Sequence, residues 1–388
     1  MTIERYYFDH NATTPLDKKV LKEMMPVLEC EYGNASSIHS FGQQAANFVE
    51  RSRRQVATLL TAKPSEIVFT SGGTEAANLA IFGTIRSKGS MPKHVITSTI
   101  EHPAVLQACQ QLKQQGIEVT FVGVGSDGIV DPNDVRSAVR PETALISIMH
   151  INNELGTEQP ISEIAAIAHE IGAVMHTDGV QSAGRIPTDM DKLGVDLFSL
   201  SAHKFYGPKG IGALFVRRGV ALERIQYGGS HERSRRPGTL NVSGIVGLGA
   251  AAKLAKKNLG AESARLTMLR DRLEAEVLER IDYVAVNGAV SPRVPNTTNL
   301  RFDFLEGEAM VIALDLRGFA VSSGAACSSG AVEPSHVLIA TGLSKQEARS
   351  SIRFSLGKQN TEKDVEVLLE TLPKVVGRLR ALSPTYVS

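Results

Sequence analysis

The chain has 388 residues, with 42 Lys and Arg against 41 Asp and Glu and a formal charge of +1. A balance this even excludes an electrostatically driven nucleic-acid or membrane binder as the default reading. A hydrophobic content of 42% with 21% charged residues excludes disorder over most of the length, and the chain is longer than one core comfortably fills, so two domains are expected.

In the opening MTIERYYFDH, charge and aromatics stand where a signal peptide needs a continuous apolar core. No run approaches the roughly 20 apolar residues of a membrane-spanning helix. Cys30, Cys109 and Cys327 are an odd, widely spaced set that gives neither a disulfide framework nor a metal knuckle. These features predict a soluble cytoplasmic protein with no metal and no membrane partner.

From about residue 15 to 220, amphipathic stretches alternate with short apolar runs, the pattern of a parallel sheet covered by helices. Helices are predicted at GQQAANFVERSRRQVATLL and PISEIAAIAHEIG. Strands are predicted at EIVFT, HVITSTI, EVTFVGV, ALISIMH, AVMHTD, LFSLS and ALFVRR, seven in all. Long charged amphipathic helices follow from about Gly244 to Arg280. The strand-like YVAVNG, NTTNLRFDF, FAVSS and SIRFSLG, with the helical GEAMVIALDL and a final helix TEKDVEVLLETLPKVVGRLRAL, then predict a smaller α+β domain. The expected division is 15–260 for the large domain and 1–14 with 261–388 for the small one.

Three segments carry chemistry. In EIVFTSGGTEAANLAIFG an apolar strand runs through Ser71, Gly72, Gly73 and Thr74 into a helix, whose free N–H groups can cradle a phosphate; a purely structural Gly turn is about as common. There is no GxxxxGK[ST], which disfavours a nucleoside-triphosphate loop. In AVMHTDGVQSAG, Asp178 ends a strand where open α/β sheets place ligands, although a helix N-cap is the plain alternative. In LFSLSAHKFYGPKGIGAL, Lys204 closes a strand; in an apolar pocket its ammonium form is disfavoured, which suits Schiff-base chemistry. Lys209 is the solvated loop lysine for contrast. A phosphate cradle, an acidic strand end and a lysine together match pyridoxal 5′-phosphate better than NAD or ATP.

Over nearly its whole length the sequence resembles the cysteine desulfurases of the NifS/IscS kind, within the class-V aminotransferases and the fold-type I pyridoxal-phosphate enzymes. FDHNATTP, YGNASSIHSFG, FTSGGTEAAN, EHPAV, HINNELGT, HTDGVQSAG, SAHKFYGPKGIGAL, ERSRRPGTLNV, SSGAACSSG, EPSHVL and SIRFSLG carry the resemblance. It implies an α/β fold-type I transferase with a mostly parallel seven-stranded sheet and a smaller α+β domain that carries the Cys327 loop.

The resemblance further implies that Lys204 binds the cofactor covalently, Asp178 pairs with the pyridinium nitrogen, and Gln181 and Asn153 lie by the phenolic oxygen. Gly73, Thr74, Ser201 and His203 would hold the phosphate, and Thr239 would complete that site in a neighbouring subunit, making an obligate homodimer. His102 would stack on the ring and transfer protons, a task suited to histidine near neutral pH; without the surrounding motifs a lone histidine is more often a satisfied core residue. Arg353 alternates with Ile352 and Phe354, so on a strand it faces away from them; the resemblance makes it the clamp for a substrate carboxylate, with Asn11 nearby.

Cys327 stands in a run of Ser, Gly and Ala, a poor core composition and a good loop composition. The resemblance makes it the thiol that takes sulfur from L-cysteine as a persulfide, for delivery to an iron–sulfur scaffold or a thiolation partner. Cys30 and Cys109 read as packing residues. The alternatives of the same fold are a selenocysteine lyase and a small-amino-acid aminotransferase. Gly179 departs from the alanine usual in the family, and Ser230, His231 and Pro237 also depart, around the cofactor pocket and the subunit-spanning loop. The basic cluster Arg233, Arg235 and Arg236 is read as a loop near a phosphate-bearing cofactor, with no direct nucleic-acid partner.

Overall fold

The computed structural model describes residues 4–386 apart from 90, 92, 289–291, 324–332 and 385. Its strands, in chain order, are β1 (Tyr6–Tyr7), β2 (Ile67–Thr70), β3 (His94–Ser98), β4 (Glu118–Val122), β5 (Thr143–Ser147) and β6 (Val174–Asp178). They continue as β7 (Leu197–Ser201), β8 (Gly212–Val216), β9 (Val284–Val286), β10 (Thr297–Phe302), β11 (Phe319–Ala320) and β12 (Ser351–Ser355).

Seven strands form one sheet in the order β2-β8-β7-β6-β5-β3-β4. The neighbours from β7 across to β4 are parallel, and β8 alone is reversed, antiparallel to both β2 and β7. Every residue of β2, β3, β5, β7 and β8 is buried. Helices cover both faces, so these strands read as continuous apolar runs without polar alternation. One face packs Val56, Leu60, Phe69, Ile146 and Phe198 into the main core. The other packs Ile81, Ile85, Val105 and Leu112 from two helices against Val95 and Leu145. All seven predicted strands of this sheet form.

The stretch predicted as long helices after Gly244 is one continuous helix, Val242–Arg280, of 39 residues and about 58 Å. Its first turns bury Ile245, Leu248 and Ala252 in the main core. Its last turns bury Leu266, Leu269, Leu273 and Val277 in a second core with Phe302, Phe354 and Leu368. Between them Lys256, Lys257 and Gly260 are partly or fully solvent-facing, so no buried residue forces a break.

The second core is roofed by the antiparallel sheet β12-β10-β9. The N-terminal segment joins this side: β1 pairs in parallel with β11, and Phe8 is fully buried in the second core. Of the predicted strand FAVSS only Phe319 and Ala320 enter a ladder, while Ser322 bridges to Arg353. Among the described residues no helix is long and apolar enough to cross a membrane, and no group of His, Cys, Asp or Glu is arranged to hold a metal ion.

Candidate active site

The carboxyl edge of the large sheet holds the site. Thr70 of β2 leads into Gly73, β5 leads through Met149 to Asn153, β6 ends at Asp178, and β7 ends at Ser201 with Lys204 three residues on. Ligands in open α/β sheets bind at this edge because strand ends and helix starts converge there. One cavity of about 330 Å³ is lined by Asn11, Gly73, Thr74, His102, Asn153, Asp178, Gln181, Ser201, His203, Lys204 and Arg353. The structure thus brings together every site residue predicted from the sequence except two. Thr239 is exposed and does not line the cavity of its own chain, and Cys327 lies outside the described residues.

Gly73 opens the helix Gly73–Ser87, so first-turn N–H groups stand at the cavity wall. A Cβ at Gly73 would come within 2.7 Å of Val180 Cγ2, so glycine lets the helix start sit close against this side of the cavity, and a helix N-terminus suits an anion. His203 is tied to Thr13 Oγ1 through Nδ1 at 3.0 Å. Desolvation and then the Lys204 cation push its pKa down to about 4, so it is neutral beside this cradle.

Asp178 is 7% exposed, and Oδ1 accepts the Val180 N–H at 2.9 Å. Burial raises its pKa, opposed by His102, the Val180 N–H and Lys204. A carboxylate desolvated in this way gains most from a cation placed against it. Lys204 Nζ donates to the backbone oxygens of Asn11 at 2.6 Å and Ala12 at 2.9 Å. Burial, then the Arg185 and Arg353 cations, lower its pKa to about 7 against the pull of Asp178 and Asp9. At neutral pH a large fraction is therefore free amine.

His102 caps the helix Pro103–Gln114, its Nδ1 accepting the Ala104 N–H at 3.1 Å. Nε2 is left for the cavity. Desolvation lowers its pKa, with Lys204 and His336 adding to the effect and Asp178 opposing it.

Arg353 lies on β12 opposite Asn299, with Ile352 and Phe354 fully buried on the other face, as the alternation predicts. Its Nη2 donates to Asp9 at 2.6 Å and Nη1 to the Asn153 carbonyl at 2.9 Å. Asn11 Nδ2 reaches the same carbonyl and Thr297 Oγ1.

Residues the sequence reading missed are Asp9 and Arg185. The signal for Arg185 was its place four residues after Gln181, directly following the HTDGVQSAG motif. One expectation, that both Cys30 and Cys109 pack in the core, holds for Cys109 alone. Cys30 is no packing residue: it is exposed, at the end of the helix Lys18–Glu29. Cys109 is fully buried, and burial pushes its pKa up to about 12, so that thiol is inert. Among the remaining histidines, His94 and His176 are satisfied core residues, each held between two hydroxyls.

The structure supplies a reason for Gly179. A Cβ there would fall within the ring of Phe198, which is wholly buried on β7. Gly179→Ala is expected to cost about 1–3 kcal/mol by overpacking and to be rescued by adding Phe198→Leu. Urea denaturation of the wild type and the two variants tests this; a wild-type midpoint for Gly179→Ala alone would refute it.

The class-V aminotransferase model matches residues 6–368. The chain is 48% identical over 378 residues to the cysteine desulfurase IscS of Dictyoglomus turgidum, covering 97% of this chain and 96% of that protein. A solved NifS-like protein superimposes with a TM-score of 0.91 at 36% identity, covering 97% of this chain and all of that one. A structure described as SspA in complex with cysteine superimposes with a TM-score of 0.80 at 38% identity, over 90% and 98% of the two chains.

The fold is thus that of a pyridoxal-phosphate enzyme of fold-type I, and the chain belongs to the class-V aminotransferase family. Within it the chain is of the NifS/IscS type.

Proposed function

We propose that the chain removes sulfur from L-cysteine, giving L-alanine and a persulfide on Cys327 that is passed to an acceptor protein. The observation that carries this reading is the convergence on one cavity of Lys204, Asp178, His102 and Arg353 with the start of the helix Gly73–Ser87. These residues fit pyridoxal 5′-phosphate: Gly73, Thr74, Ser201 and His203 would hold the phosphate, Asp178 the ring nitrogen, Gln181 and Asn153 the phenolic oxygen, and Lys204 the aldehyde carbon. When bound, the cofactor supplies an electron sink for the pair released at the substrate Cα.

The chain's own groups do the rest. Arg353, with Asn11 beside it, orients the substrate carboxylate through a planar fork. Lys204, poised near neutrality, takes the Cα proton and returns one. His102 Nε2 moves a thiol proton, since thiolate is the nucleophile. The Cys327 thiolate attacks the substrate sulfur, so an S–S bond forms and the Cβ–S bond breaks. The electron pair stays with the carbon, which gains a proton to become the methyl group of alanine. No external oxidant is needed.

On the same reading, Thr239 completes the phosphate site of a second copy in a homodimer. Its exposure away from its own cavity supports this, as does the exposed apolar set Leu28, Tyr32, Ile38 and Phe41. Residues 15–260 form the cofactor domain and 1–14 with 261–388 the small domain. The cytoplasm is the compartment proposed, and sulfur acceptors of iron–sulfur assembly or thiolation are the partners.

The test is to supply L-cysteine and a dithiol reductant, measure alanine and sulfide, and repeat with Cys327→Ser. Equal amounts of both products, reduced to background by the substitution, are expected. A keto acid without sulfide, unaffected by the substitution, would point to an aminotransferase. Turnover of selenocysteine alone would point to a selenocysteine lyase.

A further inference from the structure

Arg185 places a guanidinium among the site residues without touching the reacting atoms in the chemistry above. It follows the turn after β6, and four neutral oxygens hold it. Nη1 donates to Asn11 Oδ1 at 2.6 Å and to Gln181 Oε1 at 2.5 Å. Nη2 donates to the backbone oxygens of His10 at 2.9 Å and of Lys204 itself at 3.3 Å. Burial lowers its pKa only to about 10, with Tyr206 and Arg353 also acting on its charge and no carboxylate among the described residues doing so, so it stays a cation at neutral pH. Neutral dipoles can solvate such a cation without cancelling its charge, and in a poorly screened site its field reaches the neighbouring amine.

The same contacts fix an orientation. Because Arg185 occupies Gln181 Oε1, the amide of Gln181 presents its Nε2 donor to the Asn11 carbonyl at 3.0 Å. That carbonyl also receives Lys204 Nζ. Asn11 is therefore the shared joint: its side-chain oxygen takes Arg185, and its backbone oxygen takes both Gln181 and Lys204.

We propose that Arg185 is a positioning residue: seated beside Lys204 on the shared Asn11 and on the Lys204 carbonyl, its charge disfavours a second cation on the Lys204 amine, and its hold on Gln181 Oε1 fixes the orientation of that amide. The role assigned to Lys204 rests on the proposed function, but the titration of its amine does not.

The groups that face Lys204 are Arg185 from the turn after β6, Asp178 at the end of β6, Arg353 on β12, Asp9 in the N-terminal segment, and His102 and His203 at the cavity wall. Burial is the largest cause of its lowered pKa, and the Arg185 and Arg353 cations add to it. Losing a cation from this set raises the pKa of a lysine.

The test uses the full-length protein freed of cofactor. Trace labelling by acetic anhydride across pH 5.5–10, with the Lys204 peptide quantified by mass spectrometry, gives the midpoint of its reactivity. A midpoint near 7 is expected for the wild type, with an upward shift of about one to two pH units in Arg185→Met and the wild-type midpoint restored in Arg185→Lys. Thermal melts of each variant identify any that has not folded, and Arg185→Gln, neutral but able to donate, serves as the second charge-removing variant. An unchanged midpoint in a folded Arg185→Met or Arg185→Gln would overturn the proposal. Because neither cysteine nor Cys327 enters the measurement, failure of the desulfurase reading leaves its outcome untouched.

Discussion

Lys204→Ala is expected to lower alanine formation by at least about 10³-fold, since it removes both the covalent anchor and the proton carrier of the proposed reaction. It is expected to leave the fold intact. Among the described residues the hydrogen bonds of the Lys204 amine go to the backbone oxygens of Asn11 and Ala12, and its side chain lines the cavity. The effect on stability has a pH signature. The folded-state pKa is lowered from 10.5 to about 7 by burial and by Arg185 and Arg353. Between those values the unfolded chain binds more protons than the folded one, so wild-type stability rises with pH across that window. Below about pH 7 the full penalty of the buried ammonium is present; above about 10.5 it is gone. In the cofactor-free protein, Lys204→Ala should therefore be more stable than wild type at pH 6, with the difference closing as pH rises toward 10. Urea denaturation at pH 6, 8 and 10 measures this, and alanine release measures the activity. Turnover above about a tenth of wild type would move the assignment to Lys209, which is exposed five residues further along.

How much of this was legible in the sequence depends on the range of the interaction that decides each feature. The large sheet was legible because burial on both faces makes each strand a short apolar run, and a strand such as LFSLS needs no knowledge of its partners to be recognised. Asp178 and Lys204 were legible because each closes such a run, and position at a strand end is local information. Arg353 was legible through two-residue alternation against Ile352 and Phe354.

What failed was partner choice at a distance. Nothing in TIERYYF says that Tyr6 and Tyr7 will pair with Phe319 and Ala320. Gly179 was noticed as unusual, but its reason is the Phe198 ring on the next strand of the sheet, a matter of volume across strands. Arg185 was passed over because an arginine in a turn is ordinarily solvated, and only the folded chain shows its charge held by neutral oxygens. Cys30 was misjudged because a helical pattern fixes the face of a residue in mid-helix and says little at the helix end.

The loop SHERSRRPG shows the same limit, and it carries the largest stability effect expected here. Within it Glu232, Arg233 and Ser234 all have positive φ, at 46°, 57° and 64°, a left-handed path that L side chains adopt at a cost of roughly 1–2 kcal/mol per residue. Something must hold it, and the holder is Arg53, from the helix Ser40–Leu59. Arg53 is 3% exposed and Glu232 7%. The two are joined by a bidentate pair of 2.7 and 2.8 Å, Glu232 also accepts the Phe69 N–H at 2.8 Å, and Arg53 also reaches the Ile67 carbonyl at 2.8 Å. The guanidinium lies 4.6 Å from the centre of the Phe69 ring. Both charged groups are thus held on several sides, and Arg53 Nε also donates to Glu50 at 2.9 Å. Glu232→Ala would leave the Arg53 cation with only the half-exposed Glu50 as its counter-ion, orphan the Phe69 N–H and release the strained turn, so a loss of about 3 kcal/mol is expected. Removing both charges with Arg53→Met and Glu232→Leu should cost clearly less than Glu232→Ala, since two apolar side chains leave no unpaired ion. Urea denaturation of the two proteins decides the matter: a cost below about 1 kcal/mol for Glu232→Ala would mean the turn holds itself. Because Thr239 lies a few residues beyond this turn, the same variant should also weaken association of two copies, read by sedimentation, if that segment crosses to a partner.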